Sequence, residues 1–353
     1  MSKSANTSQF CKDDTLVAKG IAILALIFHH LYPNNPGIPI DFANLSFGML
    51  LATSGKVCVS LFAILSGYGL TEGWKRKNVD ELCFSLRHIW SLLTSFWACY
   101  LVVAILLCFS GTAPLSVYGE GGIGLAGNML LDVLGLAELL RTPTLSGPWW
   151  YMSAALMFYL LYPLLHRGVK RFGIAFLAVC FLPWVAYLAI GDVEMHTDWF
   201  LFYIFSFSLG IYLSEKDLLG RLKNMSQKNP LASGLCSAVC FVGMIVVRGV
   251  VTLPADPFLA LSLVAFSICV ISRIHLFKVV LHKFGECSGI QYMIGSIVPL
   301  FVSSAVFPNI ISRFVVFALV SLCLSMGVAQ LQHAIGYEKI MKPWAFKGKG
   351  VTG

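Results

Sequence analysis

The chain has 353 residues, of which 58% are hydrophobic and only 12% charged, with a formal net charge of +8. That is about half the charge of an average soluble domain, and the mean hydropathy of +0.80 excludes a water-soluble globule, whose surface cannot hide so much apolar sequence. The basic residues sit in short connections between apolar runs, a pattern of membrane topology and not of nucleic-acid binding.

In lipid the backbone must satisfy its own hydrogen bonds, which leaves helices or a closed barrel. The apolar runs here are long and uninterrupted, so the expected fold is all-α, a polytopic transmembrane bundle of about ten spans. In chain order they are expected near 16–33, 53–72, 84–109, 148–166, 172–190, 199–214, 231–252, 257–275, 287–306 and 312–333. The first fifteen residues are polar and no small-x-small cleavage site follows the first run, so that run is expected to stay as a span. Residues 1–353 then form one transmembrane domain with short tails at about 1–15 and 334–353.

With both ends placed on one side, 21 of the 25 Lys and Arg residues fall there, and only Lys56, Arg141, Arg248 and Arg313 fall opposite. That asymmetry predicts cytoplasmic termini. The longest outer connection, at roughly 110–147, is glycine-rich and reads as a functional cap or lid. None of the eleven cysteines forms a Cys-x-x-Cys pair and most lie in apolar runs, so neither a disulfide framework nor a metal site is expected.

The first span carries Lys19 and the pair His29-His30. Polar groups at membrane depth are costly and usually face a cavity or a partner. Lys19 and His30 are eleven residues apart, close to three turns, so they share a helix face about 16 Å apart along the axis. An interfacial reading also fits, with Lys19 at the headgroups and the histidines at the outer boundary.

Here the sequence resembles the membrane acyltransferase-3 family, which includes O-acetyltransferases of bacterial surface polysaccharides. The resemblance rests on Lys19, ten residues and then His30; on Ser66-Gly67-Tyr68 closing the second span; on Trp150-Tyr151 and Phe158-Tyr159-Leu160-Leu161-Tyr162-Pro163 in the fourth; and on Phe284-Gly285 through Ser288 to Tyr292. Lys19 stands where the family has Arg, Trp90 where it has a second Arg after Arg87, Ala155 and Leu156 where many members have Glu, and Gly295 where the late motif often has His.

The resemblance implies transfer of an acyl group, most simply acetyl, from acyl-CoA to a hydroxyl of an extracytoplasmic glycan or glycolipid. No tightly bound cofactor is expected; acetyl-CoA or another acyl-CoA is the donor substrate. It implies catalytic roles for His30, as general base or acyl carrier, and for Lys19. Arg87, His88 and Arg76 would meet the phosphates of the donor, although any inner loop is basic by the orientation rule. Trp149, Trp150 and Tyr151 would stack on a sugar or form an interfacial belt. Arg248 and Arg313 would hold an anionic acceptor or simply snorkel, and His196 with Asp198 would orient an imidazole or be solvated loop polarity. The expected location is a bacterial inner membrane. A transporter or flippase, or an inactive family member acting through a partner, is the alternative.

Overall fold

The computed structural model describes residues 10–31, 41–42, 45–77, 80–119, 121–190, 199–302 and 309–337. Fourteen α-helices account for nearly all of them: α1 (Lys12–Leu31), α2 (Phe47–Ser54), α3 (Val57–Lys75), α4 (Glu81–Phe109), α5 (Gly122–Val133), α6 (Trp150–Phe172), α7 (Ile174–Ile190), α8 (Phe200–Glu215), α9 (Leu218–Lys228), α10 (Pro230–Val251), α11 (Asp256–Cys269), α12 (His275–Glu286), α13 (Ser288–Ile294) and α14 (Ile310–Ala334). A two-residue antiparallel pairing, Asp41–Phe42 with Leu45–Ser46, is the one departure from helix and turn among the described residues.

The expected all-α polytopic architecture is observed. Among the described residues six stretches are long and apolar enough to cross a membrane: Lys12–Leu31, Gly48–Lys75, Glu81–Phe109, Pro230–Val251, Leu253–Arg273 and Ile310–Ala334. Helices α7 and α8 are apolar but shorter, and α6 has a basic last turn with Lys170 and Arg171. On α10 the residues Leu231, Leu235, Val239, Val242, Val246 and Val250 are all exposed. Their spacing puts them on one face, the arrangement of a lipid-facing helix and not of a soluble one.

The expected span at 287–306 is not one helix. Helix α13 ends at Ile294, Gly295 follows, and a 3₁₀ turn occupies Val298–Leu300; Pro299 has no N–H to continue the ladder. The expected span at 53–72 is carried by α3, and α2, which meets it at Gly55-Lys56, lies almost wholly before that span. Between the expected spans the chain builds α5, α9 and α12 in stretches expected to be loop. Helix α4 begins where it does because the Asp80 carboxylate accepts from the backbone N–H groups of Leu82 and Cys83, both at 3.0 Å.

The chain divides into two compact units, each assembled from three segments. One comprises Met1–Glu72, Val169–Trp184 and Phe205–Ser288; the other comprises Gly73–Gly168, Val185–Ile204 and Gly289–Gly353. In the first unit, glycines bring backbones into contact. A Cβ on Gly20 of α1 would overlap the Leu281 carbonyl of α12, and one on Gly285 of α12 would overlap the Leu16 carbonyl of α1. Helices α3 and α8 cross in the same way, Gly67 against the Phe207 carbonyl and Gly210 against the Ile64 carbonyl. Small residues at such crossings supply the van der Waals packing that holds membrane helices together where lipid removes the hydrophobic drive. At one end of this unit Asp14 of α1 pairs with Lys223 of α9 at 2.7 Å.

In the second unit α4, α6 and α14 carry the apolar bulk, with Phe96, Phe158, Tyr162 and Phe317 fully buried. The connection at 110–147 belongs to this unit and is hydrogen-bonded to α4 and α6. Trp97 Nε1–H donates to the Val133 carbonyl at 2.8 Å, and the Ser153 hydroxyl donates to the Gly135 carbonyl at 2.6 Å.

Candidate functional site

The first unit gathers polar residues around the C-terminal end of α1. The Nδ1–H of His29 donates to the carbonyl of Ala52 on α2 at 2.8 Å. A carbonyl can only accept, so Nδ1 carries the proton and the neutral ring keeps its lone pair on Nε2. The close approach requires Gly55, where a Cβ would meet the Ala25 carbonyl and lie 2.8 Å from His29 Cβ. His30 is exposed, its ring centroid 5.5 Å from that of His29 at an interplanar angle of 53°. Lys56, at the start of α3, and Arg248, near the end of α10, lie within electrostatic reach of His29. Arg248 Nε in turn donates to Oδ1 of Asp256 on α11 at 3.1 Å, with both side chains buried.

Lys19 sits three turns back along α1, half-buried, beside the Gly20–Leu281 crossing. Among the described residues no carboxylate pairs with it. A cation left without a counter-ion inside a span is costly and marks a place where an anionic ligand balances the charge or water solvates it.

The second unit collects the other predicted cations near the N-terminal end of α4. Arg76 is exposed, and Lys77 lies over the Phe84 ring at 5.7 Å. Arg87 is half-buried and its Nε has no hydrogen-bond partner among the described residues. His88 turns inward, its Nδ1–H donating to the Phe84 carbonyl at 2.8 Å. Beside them is a feature that sequence reasoning missed: buried His166, on α6, has Nδ1 2.9 Å from Glu81 Oε1, while Arg167 Nε reaches Glu81 Oε2 at 3.3 Å. The Tyr162 ring stacks on His166 at 5.5 Å and Trp74 meets its edge at 4.8 Å. Positions 81 and 166 share no sequence periodicity; the only available signal was a lone histidine at the basic end of an apolar helix.

The aromatic segment opens α6. Trp149 is buried, packed by Phe96 and Tyr100, and its indole N–H donates to the Met293 carbonyl at 2.8 Å. It therefore satisfies a carbonyl at the end of the broken α13 and anchors the cap. Trp150 and Tyr151 are half-buried, against Tyr203 at 5.4 Å and Tyr292 at 5.5 Å respectively. Within the connection at 110–147, Asp132 accepts from the Tyr118 hydroxyl at 2.6 Å, the Thr144 hydroxyl at 2.7 Å and the Leu145 N–H at 2.9 Å. Burial raises the Asp132 carboxyl above its ordinary range, partly opposed by those three donors, and burial followed by the adjacent carboxylate raises the Tyr118 phenol.

The fold thus places Lys19 and His30 in one unit, and Arg76, Arg87, His88, Trp149, Trp150 and Tyr151 in the other. Arg313 is buried and already engaged. His196 and Asp198 lie outside the described residues.

A family profile described as an acyltransferase domain matches residues 17–330, a stretch that begins just before Lys19 and runs into α14. The chain belongs to the acyltransferase-3 family. A curated relative, acyltransferase MdmB of Streptomyces mycarofaciens, is 28% identical over 142 residues. That alignment takes in 39% of this chain, which spans only 36% of the length of that relative. No solved structure matches the chain. In this member of the acyltransferase-3 family, several residues that carry the resemblance have a packing role. Gly67 makes the α3–α8 crossing and Gly285 the α1–α12 crossing. The Ser288 hydroxyl donates to the Gly285 carbonyl at 2.8 Å, and the Tyr292 hydroxyl donates to the Pro148 carbonyl at 2.9 Å.

Proposed function

We propose that the chain is an integral membrane O-acyltransferase that moves an acyl group, acetyl in the simplest case, from cytoplasmic acyl-CoA to a hydroxyl of an extracytoplasmic glycan or glycolipid. The observation that carries this reading is α1 itself. One face of one helix bears Lys19, a cation without a counter-ion among the described residues, and three turns later an exposed imidazole, His30, beside a second imidazole whose tautomer is set by Ala52.

In the reaction, His30 accepts the proton of the acceptor hydroxyl as its oxygen attacks the thioester carbonyl. The C–S bond breaks, the ester forms, and the thiolate of CoA leaves and takes up a proton. Lys19 adds positive charge to the helix that carries His30, and the phosphates of the donor are assigned to Arg87, with the exposed Arg76 and the neighbouring His88. Trp150 and Tyr151 offer aromatic surface to the sugar. The distribution of Lys and Arg supports cytoplasmic termini in a bacterial inner membrane.

The test is purified full-length protein in lipid nanodiscs, given acyl-labelled acetyl-CoA and a mixed panel of sugars and lipid-linked saccharides, with products read by mass spectrometry. An acetyl increment on a saccharide is expected. No increment on any acceptor, with protein that is folded and donor that is intact, overturns the reading.

A further inference from the structure

Arg248 and Asp256 form a pair that is only half made. A buried guanidinium facing a carboxylate ordinarily forms two parallel N–H···O bonds. Here a single contact, Nε to Oδ1 at 3.1 Å, joins them. Neither terminal nitrogen of Arg248 has a hydrogen-bond partner among the described residues, and Oδ2 of Asp256 is buried without one. Arg248 is 7% exposed and Asp256 1% exposed, so water does little to satisfy them. Two unmet needs therefore sit side by side: a planar pair of donors that suits an oxyanion, and an acceptor that suits a hydroxyl. The guanidinium also lies within electrostatic reach of His29, next to the exposed His30.

We propose that Arg248 and Asp256 form an acceptor subsite for an anionic saccharide, in which the terminal nitrogens of Arg248 hold a carboxylate or phosphate oxyanion and Oδ2 of Asp256 accepts from a neighbouring hydroxyl. This rests on the acyl-transfer reading and adds the substrate class to it. Asp256 holds the guanidinium from behind through Nε, leaving its outer edge to the ligand. The acceptor is then anchored by its charge beside the imidazoles, which selects acidic sugars over neutral ones.

The experiment compares three acceptors that share a glucose ring: methyl glucuronide for the carboxylate, glucose 1-phosphate for the phosphate, and methyl glucoside as the neutral control. Full-length protein in nanodiscs is assayed with labelled acetyl-CoA, and its melting temperature is measured with each sugar alone. At least one anionic sugar is expected to exceed methyl glucoside in kcat/KM by about tenfold or more, the scale of a charge-assisted bidentate contact. The same sugar is expected to raise the melting temperature. In Arg248→Gln that preference and that melting shift both collapse. Arg248→Lys keeps the charge and loses the fork, so it carries the test if the glutamine variant does not fold; a preference at least about threefold lower is expected.

Equal use of neutral and anionic sugars, or an unchanged preference in these variants, overturns the subsite. A rise in KM for acetyl-CoA with the sugar preference intact assigns Arg248 to the donor and overturns it too. Absence of transfer to all three sugars counts against the acyl-transfer reading, and the melting shifts still decide whether Arg248 binds an oxyanion.

Discussion

The Nδ1–H of His29 donates to the Ala52 carbonyl across 2.8 Å, tying the end of α1 to α2, while the adjacent His30 ring stays exposed. The two imidazoles, about 100° apart around the helix, thus meet different surroundings. His30→Ala is expected to slow acyl transfer by at least about a hundredfold, the low end of what a general base contributes, with little change in melting temperature. His29→Ala should cost about 1 kcal/mol of stability through the lost hydrogen bond and slow transfer less. Rates and melting curves of both variants check this; an inactive His29→Ala beside an active His30→Ala would move the base to Nε2 of His29.

Arg87 tests the donor assignment. Its Nε lacks a partner among the described residues, whereas Arg313 is already engaged. Arg87→Ala should raise KM for acetyl-CoA by about tenfold or more, as expected for a lost charge-assisted contact to phosphate. Arg313→Ala should lower stability and leave KM for the donor near its original value. Steady-state kinetics with varied acetyl-CoA decide between them.

Glycines on α3 separate packing from propensity. A Cβ at Gly67 would overlap the Phe207 carbonyl, whereas one at Gly69 meets nothing within 4 Å. Gly67→Ala should destabilise by about 1–3 kcal/mol, the usual cost of overpacking. Gly69→Ala should be neutral or stabilising by up to about 1 kcal/mol, because alanine is the better helix former. Fluorescence-detected melting in detergent distinguishes the two.

Asp132 holds the cap through three donors. Asp132→Ala removes the acceptor of the Leu145 N–H, while the Tyr118 and Thr144 hydroxyls keep only the Tyr100 hydroxyl at 2.7 Å and the Ser146 carbonyl at 3.4 Å. It should destabilise by roughly 1–3 kcal/mol, the cost of a buried donor left unsatisfied, and should open the connection at 110–147 to limited proteolysis. An unchanged digestion pattern would show that the cap is held elsewhere.

The charge sorting is tested by reporter fusions at the C-terminus and within the connection at 110–147. They should report opposite sides of the membrane; the same side from both would overturn the proposed orientation.

Much of this protein is written in local sequence. Lipid demands long apolar stretches with internal hydrogen bonding, so the all-α polytopic architecture is legible from composition and run length. The shared face of Lys19 and His30 follows from helical periodicity alone. The late segment shows where that reasoning ends. Apolar residues run through 287–306, yet Gly295 and Pro299 interrupt the helix, and Trp149 supplies the bond to the Met293 carbonyl from the start of a distant helix. The contacts of His29 with Ala52 and of Arg248 with Asp256, and the pairing of His166 with Glu81, were likewise decided by tertiary structure. Periodicity says which face of a helix a side chain occupies. It does not say which backbone comes near enough to meet it, and here that depends on crossings at Gly20, Gly55, Gly67 and Gly285, where the absence of a Cβ lets one chain segment touch another.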